Sequence, residues 1–461
     1  MDLLCKKSAS DLANLISKKE VSSKEVVEAH LNRISEVNPY INAITLTLEK
    51  SALEAANIAD RASDEDRKRP FHGVPFTVKE NIDLIGTPTT QGLPILAEAM
   101  PPNNAPIVDR MIQAGAIPIA RTNLPELGLR LDTDNPLRGR TKNPWNQNIT
   151  PGGSSGGEAA ALATGMTPFG LGNDIGGSLR NPAYCCGIAS LKPSVGRIPY
   201  VFSMEPKDIG ISRSFVSDGP MARSVSDLKT GLFILSGRHI SDPDSVDIPL
   251  SGPLPEKFKA AIVKNIPGFD IPKATEKELE RAKEILSDRG WIVEEVEAPE
   301  LERVFEIWAS ILSPGIFQVV PPEVFKKATA DYLERAGKQF VDNIVPLEEA
   351  LIERQRLRRL WSEFLTKYSV CIGPTWANLP WPIDTDLDPD IGIDTLKKSF
   401  AFIVPGNCLG FPSIALPTGV SDGLPTGIQI YSELYREDLC FLASEIIEKE
   451  SMCPTPIDPI V

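Results

Sequence analysis

The stretch that most constrains this chain is residues 150–182, TPGGSSGGEAAALATGMTPFGLGNDIGGSLRNP. It sets a Gly-Gly-Ser-Ser-Gly-Gly run and a Gly-Gly-Ser run within one supersecondary unit. Glycine is costly to order and is retained where backbone turns with positive φ or approaches another group closely. Six glycines around three serines (Ser154, Ser155 and Ser178) therefore describe backbone that presents hydroxyl groups. Residues 158–164 (EAAALAT) are strongly helix-forming, so the first run feeds a helix N-terminus, whose free N–H groups can face a reacting centre. A short strand at 169–171 leads into the second run.

The surrounding chain is patterned as an α/β protein. Residues 8–62 read as two or three amphipathic helices, with Ser8 or Ser10 as a first N-cap and Ser22 or Ser23 before a second. Residues 67–94 turn to strand character, punctuated by Gly73, Pro75, Gly86 and Pro88, and 107–121 read as a helix followed by a buried strand at 116–120. Residues 123–151 form a long irregular passage, and a loop of that length inside a compact domain is usually functional. Beyond a helix after Ser226, the Pro- and Asp-rich stretch 239–257 reads as a linker or insertion. Residues 273–290 form a charged amphipathic helix and 291–296 a strand. Residues 300–370 are mostly helical and carry Phe305, Trp308, Phe317, Phe325, Tyr332 and Phe340, as helix core or as an apolar substrate wall. Strands follow at 370–374, 413–416 and 427–431, and a helix at 438–450 closes the chain. The expected fold is α/β: one large layered domain over 1–461, with a mixed, mainly parallel sheet flanked by helices. Its parts are a helical scaffold (8–62), a catalytic core (67–235), the 239–257 linker, and pocket helices with closing strands (258–461).

A hydrophobic content of 42% over 461 residues suffices for a sizeable core. The net charge of −14, without long like-charge runs, argues against a nucleic-acid or anionic-membrane surface. No apolar run is long enough to span a bilayer, and MDLLCKKSASDL lacks the basic-then-apolar order of a signal peptide, so the cytoplasm is the expected compartment. The seven cysteines, two of them adjacent at Cys185 and Cys186, have no metal-ligand spacing and read as buried free thiols. A homodimer stays open.

A serine hydroxyl is a weak nucleophile until a base takes its proton, and the usual base is histidine. His30, His72 and His239, the three in the chain, all lie outside the Gly- and Ser-rich loops. The run around Ser155 satisfies the G-x-S-x-G pattern, so a Ser-His-Asp esterase is a formal alternative, with His239 as the one later histidine. A phosphate loop is disfavoured, because the run lacks a Gly-Lys-Ser/Thr ending. Lysine replaces histidine where burial leaves it neutral. Lys79, ending the alternating run in HGVPFTVKENID beside Asn81, is the candidate, although the residues alone leave a surface lysine open.

Together, Lys79, Ser154 and Ser178 resemble the amidase signature family, whose centre is a Ser-Ser-Lys triad. The resemblance continues through ARTNLPELGLRLDTDNPLRGRTKNPWN, ASLKPSVGRIP, DGPMARSVSDL and NCLGFPSIALPTGVSDGLPTGIQI, and so covers roughly residues 5–450. It implies Ser178 as nucleophile, Ser154 as the bridging serine after a cis Gly153–Ser154 peptide, and Lys79 as base. It also implies an oxyanion hole from the N–H groups of Ile175, Gly176, Gly177 and Ser178, supported by Ser155, Asp174 and Arg180. The implied reaction is hydrolysis of a small-molecule carboxylic amide to acid plus ammonia or amine through acyl-Ser178, with no cofactor, metal, nucleic acid or membrane. A related alternative is the glutaminase subunit of a tRNA-dependent amidotransferase. Such subunits typically carry an acidic residue seven positions before the Asn of an Asn-Leu-Ala-Gly motif, where it holds the substrate's amino group. Here the motif reads Asn407-Cys408-Leu409-Gly410 and the position is Phe400, which implies an apolar or aromatic substrate.

Overall fold

Local capping chemistry sets the N-terminal scaffold. In the computed structural model, which describes residues 1–201, 210–340, 344–451 and 453–460 (backbone alone for 210–212 and 313–319), Ser8 accepts from the Asp11 N–H and opens the helix Ala9–Ser17. Ser22 and Glu25 form a reciprocal capping box on Ser23–Ile41, and a third helix follows at Glu49–Asp60. Between the last two lies a strand, Ile44–Thr47, that the helical reading of 8–62 does not include. Four residues are too few to show a period, and only pairing with a distant strand gives them their conformation.

Among the described residues eleven strands form one sheet: β1 (Ile44–Thr47), β2 (Pro75–Lys79), β3 (Ile117–Thr122), β4 (Phe169–Asp174), β5 (Ala189–Lys192), β6 (Ser217–Ala222), β7 (Lys259–Ile262), β8 (Ile292–Glu295), β9 (Val370–Pro374), β10 (Ser413–Ser421) and β11 (Leu424–Tyr431). Their order is β1-β3-β2-β4-β6-β5-β10-β11-β9-β7-β8. The sheet is mixed, as expected. Its parallel pairings, β3-β2-β4 and β9-β7-β8, lie on the two flanks, and the centre from β4 through β6, β5, β10 and β11 to β9 is antiparallel. The central departure from parallel pairing has a local cause at β10 and β11, which form a hairpin over Ser421–Leu424. Two central strands, β5 and β6, also carry little strand signal. Gly219 and Pro220 sit inside β6, where proline would argue for a turn, and neighbours on both sides fix the extended form instead.

The pleat sends alternate residues of β2 to opposite faces. Phe76 and Val78 join one core with the helices Ala9–Ser17, Pro106–Gln113, Val225–Leu235, Lys273–Asp288 and Glu437–Glu448. Thr77 and Lys79 face the other side, where the helix Gly156–Ala163 is buried along its whole length. A second core gathers the helices Leu301–Val319, Lys327–Gln339, Leu347–Lys367 and Gly392–Phe400 beside this face. The 239–257 stretch holds no helix or strand and is strapped to the β5–β6 connection: Val246 N–H donates to Gly196 O (2.9 Å) and Arg197 Nη1 to Ile248 O (2.5 Å). Among the described residues, no helix is long and apolar enough to cross a membrane.

Candidate active site

The carboxyl ends of the parallel neighbours β2 and β4 and the start of antiparallel β6, all interior strands, meet at one end of the ladder. Lys79, the last residue of β2, is fully buried there. Its Nζ lies 2.6 Å from Ser154 Oγ and donates to Asn173 Oδ1 at 2.8 Å. Asn173 in turn exchanges amide hydrogen bonds with Asn81 (3.1 and 3.2 Å). Ser154 follows the cis Gly153–Ser154 peptide and precedes the buried helix. The backbone at Gly153 presses on that of Arg130: a Cβ there would lie 2.4 Å from Arg130 O. Ser155 N–H donates to Ser178 O (3.2 Å), which ties the two serine loops together.

The second loop is organised by one carboxylate. Asp174 accepts from the Gly177 N–H (2.7 Å) and the Leu179 N–H (3.0 Å), and its two oxygens take Arg180 Nη2 and Nε, each at 3.0 Å. Asn407 Nδ2 adds a further bond to Asp174 at 2.8 Å and its Oδ1 accepts from Arg180 Nη2 at 2.6 Å. Burial alone would raise the Asp174 carboxyl, but the Arg180 guanidinium and these donors hold it well below the usual carboxylate range. Gly177 has φ +97° and a Cβ would meet Ile403 at 2.6 Å, so no other residue fits the turn. Because the Gly177 N–H is held by Asp174, the loop donors left without a protein acceptor among the described residues are Ile175, Gly176 and Ser178.

Three buried titratable groups surround these serines. Burial pushes Lys79 down to about 7, against the opposing pull of Asp174, Asp218 and Glu158. Burial raises Glu158, on the first turn of the Gly156–Ala163 helix, to about 7 despite hydrogen bonds from Thr77 and Thr122 (2.7 Å from the latter). Burial likewise raises Asp218 to about 8; it faces Asn173 across the β4–β6 ladder, and its Oδ1 has no hydrogen-bond partner. Asp218, Asn173 and Glu158 are not among the residues that the sequence singles out. Asn173 and Asp218 meet through the β4–β6 register, and Glu158 reaches Thr77 and Thr122 from its helix, neither of which a local pattern reports.

Ser178, 5% exposed, sits with Ile175 and Gly176 at the floor of a pocket of about 850 Å³, its open mouth included. Trp308, Leu312, Tyr332, Leu333, Phe340 and Phe400 wall it. Trp308 Nε1 donates to Ile175 O (3.2 Å), so the wall is fastened to the serine loop, and Phe400 packs on Trp308 with ring centroids 5.0 Å apart. Of the other aromatic residues in 300–370, Phe305 lies behind this wall, Phe325 is core, and the Phe317 side chain lies outside the described residues. Among the described residues, no Asp or Glu lines the pocket. Its charged member, Arg130, is matched by Asp386 (2.7 Å), Asp384 (2.9 Å) and Asp132 (3.8 Å). Those three carboxylates converge as metal ligands would, but Arg130 and Arg140 pair with them.

The histidines lie elsewhere. His30 Nδ1 bonds Val26 O (2.8 Å) within its own helix, and burial lowers it to about 4. His72 Nε2 bonds Ala59 O (3.0 Å), and His239 Nδ1 accepts from the Ser241 N–H (3.2 Å).

Comparison with known proteins gives the same direction. The family model described as Amidase matches residues 25–441. An indoleacetamide hydrolase of Bradyrhizobium diazoefficiens is 37% identical over 453 residues, 96% of this chain and 86% of that protein. A glutamyl-tRNA(Gln) amidotransferase subunit of Caldanaerobacter subterraneus is 28% identical, over 95% of both chains. The substrate complex of 6-aminohexanoate cyclic dimer hydrolase superposes with a TM-score of 0.84 at 26% identity, covering 98% of each chain.

Proposed function

The chain belongs to the amidase family and is an amide hydrolase, and from that premise we propose that it cleaves small carboxylic amides with a flat, apolar acyl group, of the arylacetamide kind, through an acyl-Ser178 intermediate. The observation that carries the substrate class is the pocket wall: aromatic and aliphatic side chains around Ser178, Phe400 among them, and no carboxylate among the described residues. A free amino acid amide would bring an ammonium, and burying that charge without a partner costs several kcal/mol. Asp331 and Glu334, which flank the wall residues Tyr332 and Leu333 in sequence, pair with Lys327 (2.7 Å) and Lys338 (2.6 Å) and are not part of the wall. The indoleacetamide hydrolase relative supports the same class.

In this reading neutral Lys79 accepts the Ser154 proton as Ser154 takes the one from Ser178, and Ser178 Oγ bonds to the amide carbon. The oxyanion that forms is met by the N–H groups of Ile175, Gly176 and Ser178, each such donor being worth about 3 kcal/mol in the transition state. Gly177 shapes the loop instead. Lys79 and Ser154 return the proton to the departing amine, the C–N bond breaks, and a water activated by the same pair releases the acid. The test is kcat/KM of the purified chain on phenylacetamide, a short aliphatic amide and glutamine. Phenylacetamide is expected to be best. Glutamine as the best substrate, or activity only when a second protein of an amidotransferase complex is added, would replace this reading with the amidotransferase one.

A further inference from the structure

Next to the catalytic pocket lies a second cavity of about 760 Å³, mouth included, with apolar surface from Phe269, Phe305 and Phe340 and with Glu302, Glu306 and Lys397 also lining it. Among the described residues, one side chain lines both spaces: Phe340. It belongs to a cluster of four rings that separates them. Phe340 meets Phe305 at 6.0 Å and Phe400 at 5.8 Å, both edge-on, while Trp308 meets Phe305 at 6.1 Å and Phe400 at 5.0 Å. The four are not held alike. Trp308 is 7% exposed and hydrogen-bonded to Ile175, and Phe400 is 6% exposed within its helix. Phe340 is half-buried and caps the C-terminal end of Lys327–Gln339, its ring packed on the margin of the second core.

We propose that the second cavity is an acyl subsite for elongated apolar amides and that the Phe340 ring closes it, ending the catalytic pocket at the length of a single or fused ring system. The proposal rests on the arylacetamide reading above. A linear acyl group attached to Ser178 and lying along the aromatic wall runs into Phe340, and past that ring it meets the apolar side of the second cavity, Phe305 and Phe269, with charged residues beyond. Edge-on ring pairs add a modest amount to the area they bury, and an aryl acyl group of matching shape can restore both when it takes the place of the ring. Phe340 is then a length-determining residue, and Phe305 is the first surface of the outer subsite.

The experiment compares kcat/KM for 2-phenylacetamide and 2-(biphenyl-4-yl)acetamide in the wild-type chain, Phe340→Ala and Phe340→Ala/Glu302→Trp. The expected wild-type preference is for the short amide. Phe340→Ala should raise the long-to-short ratio about tenfold or more, the scale on which a pocket discriminates by size. Glu302→Trp, an exposed helix substitution at the margin of the outer cavity, should remove that gain. If Phe340→Ala does not fold, as read by thermal melting, Phe340→Leu carries the same comparison with a smaller gain. An unchanged ratio in a wild-type-active background, or a gain that survives Glu302→Trp, overturns the subsite. Failure of the arylacetamide reading looks different: the wild-type chain would turn over neither amide while hydrolysing glutamine.

Discussion

Lys79 is held at the cost of stability, and this separates its role from a structural one. Its folded value of about 7 lies below the unfolded reference of about 10.4, so between those limits the unfolded chain binds the extra proton and stability rises with pH. Below about 7 the penalty is complete. Activity should rise with pH through an apparent value near 7, belonging to the coupled site rather than to the lysine alone. Lys79→Met should lose about a thousandfold or more in kcat, lose that limb, and melt higher than wild type at pH 7 by a gap that narrows toward pH 10. A Met variant that is both inactive and less stable would mean that Lys79 is structural. The neighbouring Asp218 gives a second residue-scale test. Burial raises it to about 8 and its ionised form favours the charged lysine, so the two titrate as one unit, and Asp218→Asn should move the acid limb to lower pH while changing kcat/KM at neutrality by less than about tenfold. A limb that stays in place would mean that Asp218 is neutral throughout it and does not share the lysine's titration. The serines are legible in the sequence because glycine-bracketed hydroxyls have few other uses. Lys79 and the division of roles come only from the resemblance to the amidase signature family, since an isolated lysine at a strand end carries no local mark of burial. Asp218 and Asn173 are not legible, because each matters through the residue across the ladder from it.

Among the elements, the loop from Asp174 to Ser178 depends most on partners distant in sequence. Arg180 opens the helix Arg180–Cys186, yet its guanidinium bonds Ile403 O (2.6 Å), Gln429 Oε1 (3.0 Å) and Asn407 as well as Asp174, so the loop is clamped between that helix and β11. Removing one member of such a pair leaves a buried charge unmatched, which costs about 3–5 kcal/mol. Arg180→Leu should therefore lower the unfolding free energy by that amount in a denaturant titration and abolish turnover. A loss under about 1 kcal/mol would show that water or another cation compensates Asp174. The same scale explains which elements sequence reading finds. The helix Lys273–Asp288 declares itself through Leu279, Ala282, Ile285 and Leu286 on one face, and Ser23–Ile41 through its capping box. β6 contains Asp218, Gly219 and Pro220, which locally favour a turn, and tertiary pairing overrides them. β4 extends to Asp174, beyond the strand read at 169–171, and that extension carries Asn173 to Lys79.

On the scale of the molecule, the proposed catalytic groups come from residues 79–180 and the aromatic part of the pocket wall from residues 308–400, joined through a sheet in which β1–β6 stand together, β7–β11 stand together, and the two sets meet at the β5–β10 pairing. The wall can be suspected from aromatic residues on helices, but the choice between core and pocket depends on where those helices dock. The whole chain also sets a field: 48 basic against 62 acidic side chains give a net charge of −14. Such a field steers charged substrates from a distance and is screened beyond about 10 Å at 0.1 M salt. A neutral arylacetamide feels no long-range force, and the pocket's one arginine is matched by carboxylates. Its kcat/KM should change by less than about twofold between roughly 20 and 500 mM NaCl, concentrations that span the screening range. An otherwise similar amide bearing a carboxylate should be a poorer substrate at low salt and improve as salt rises, because screening relieves its repulsion from the acidic surface. Steady-state kinetics on the two amides at matched pH checks both. A carboxylate amide that instead slows with salt would mean that Arg130 or another cation draws anions into the pocket, and the neutral, apolar substrate class would have to be given up.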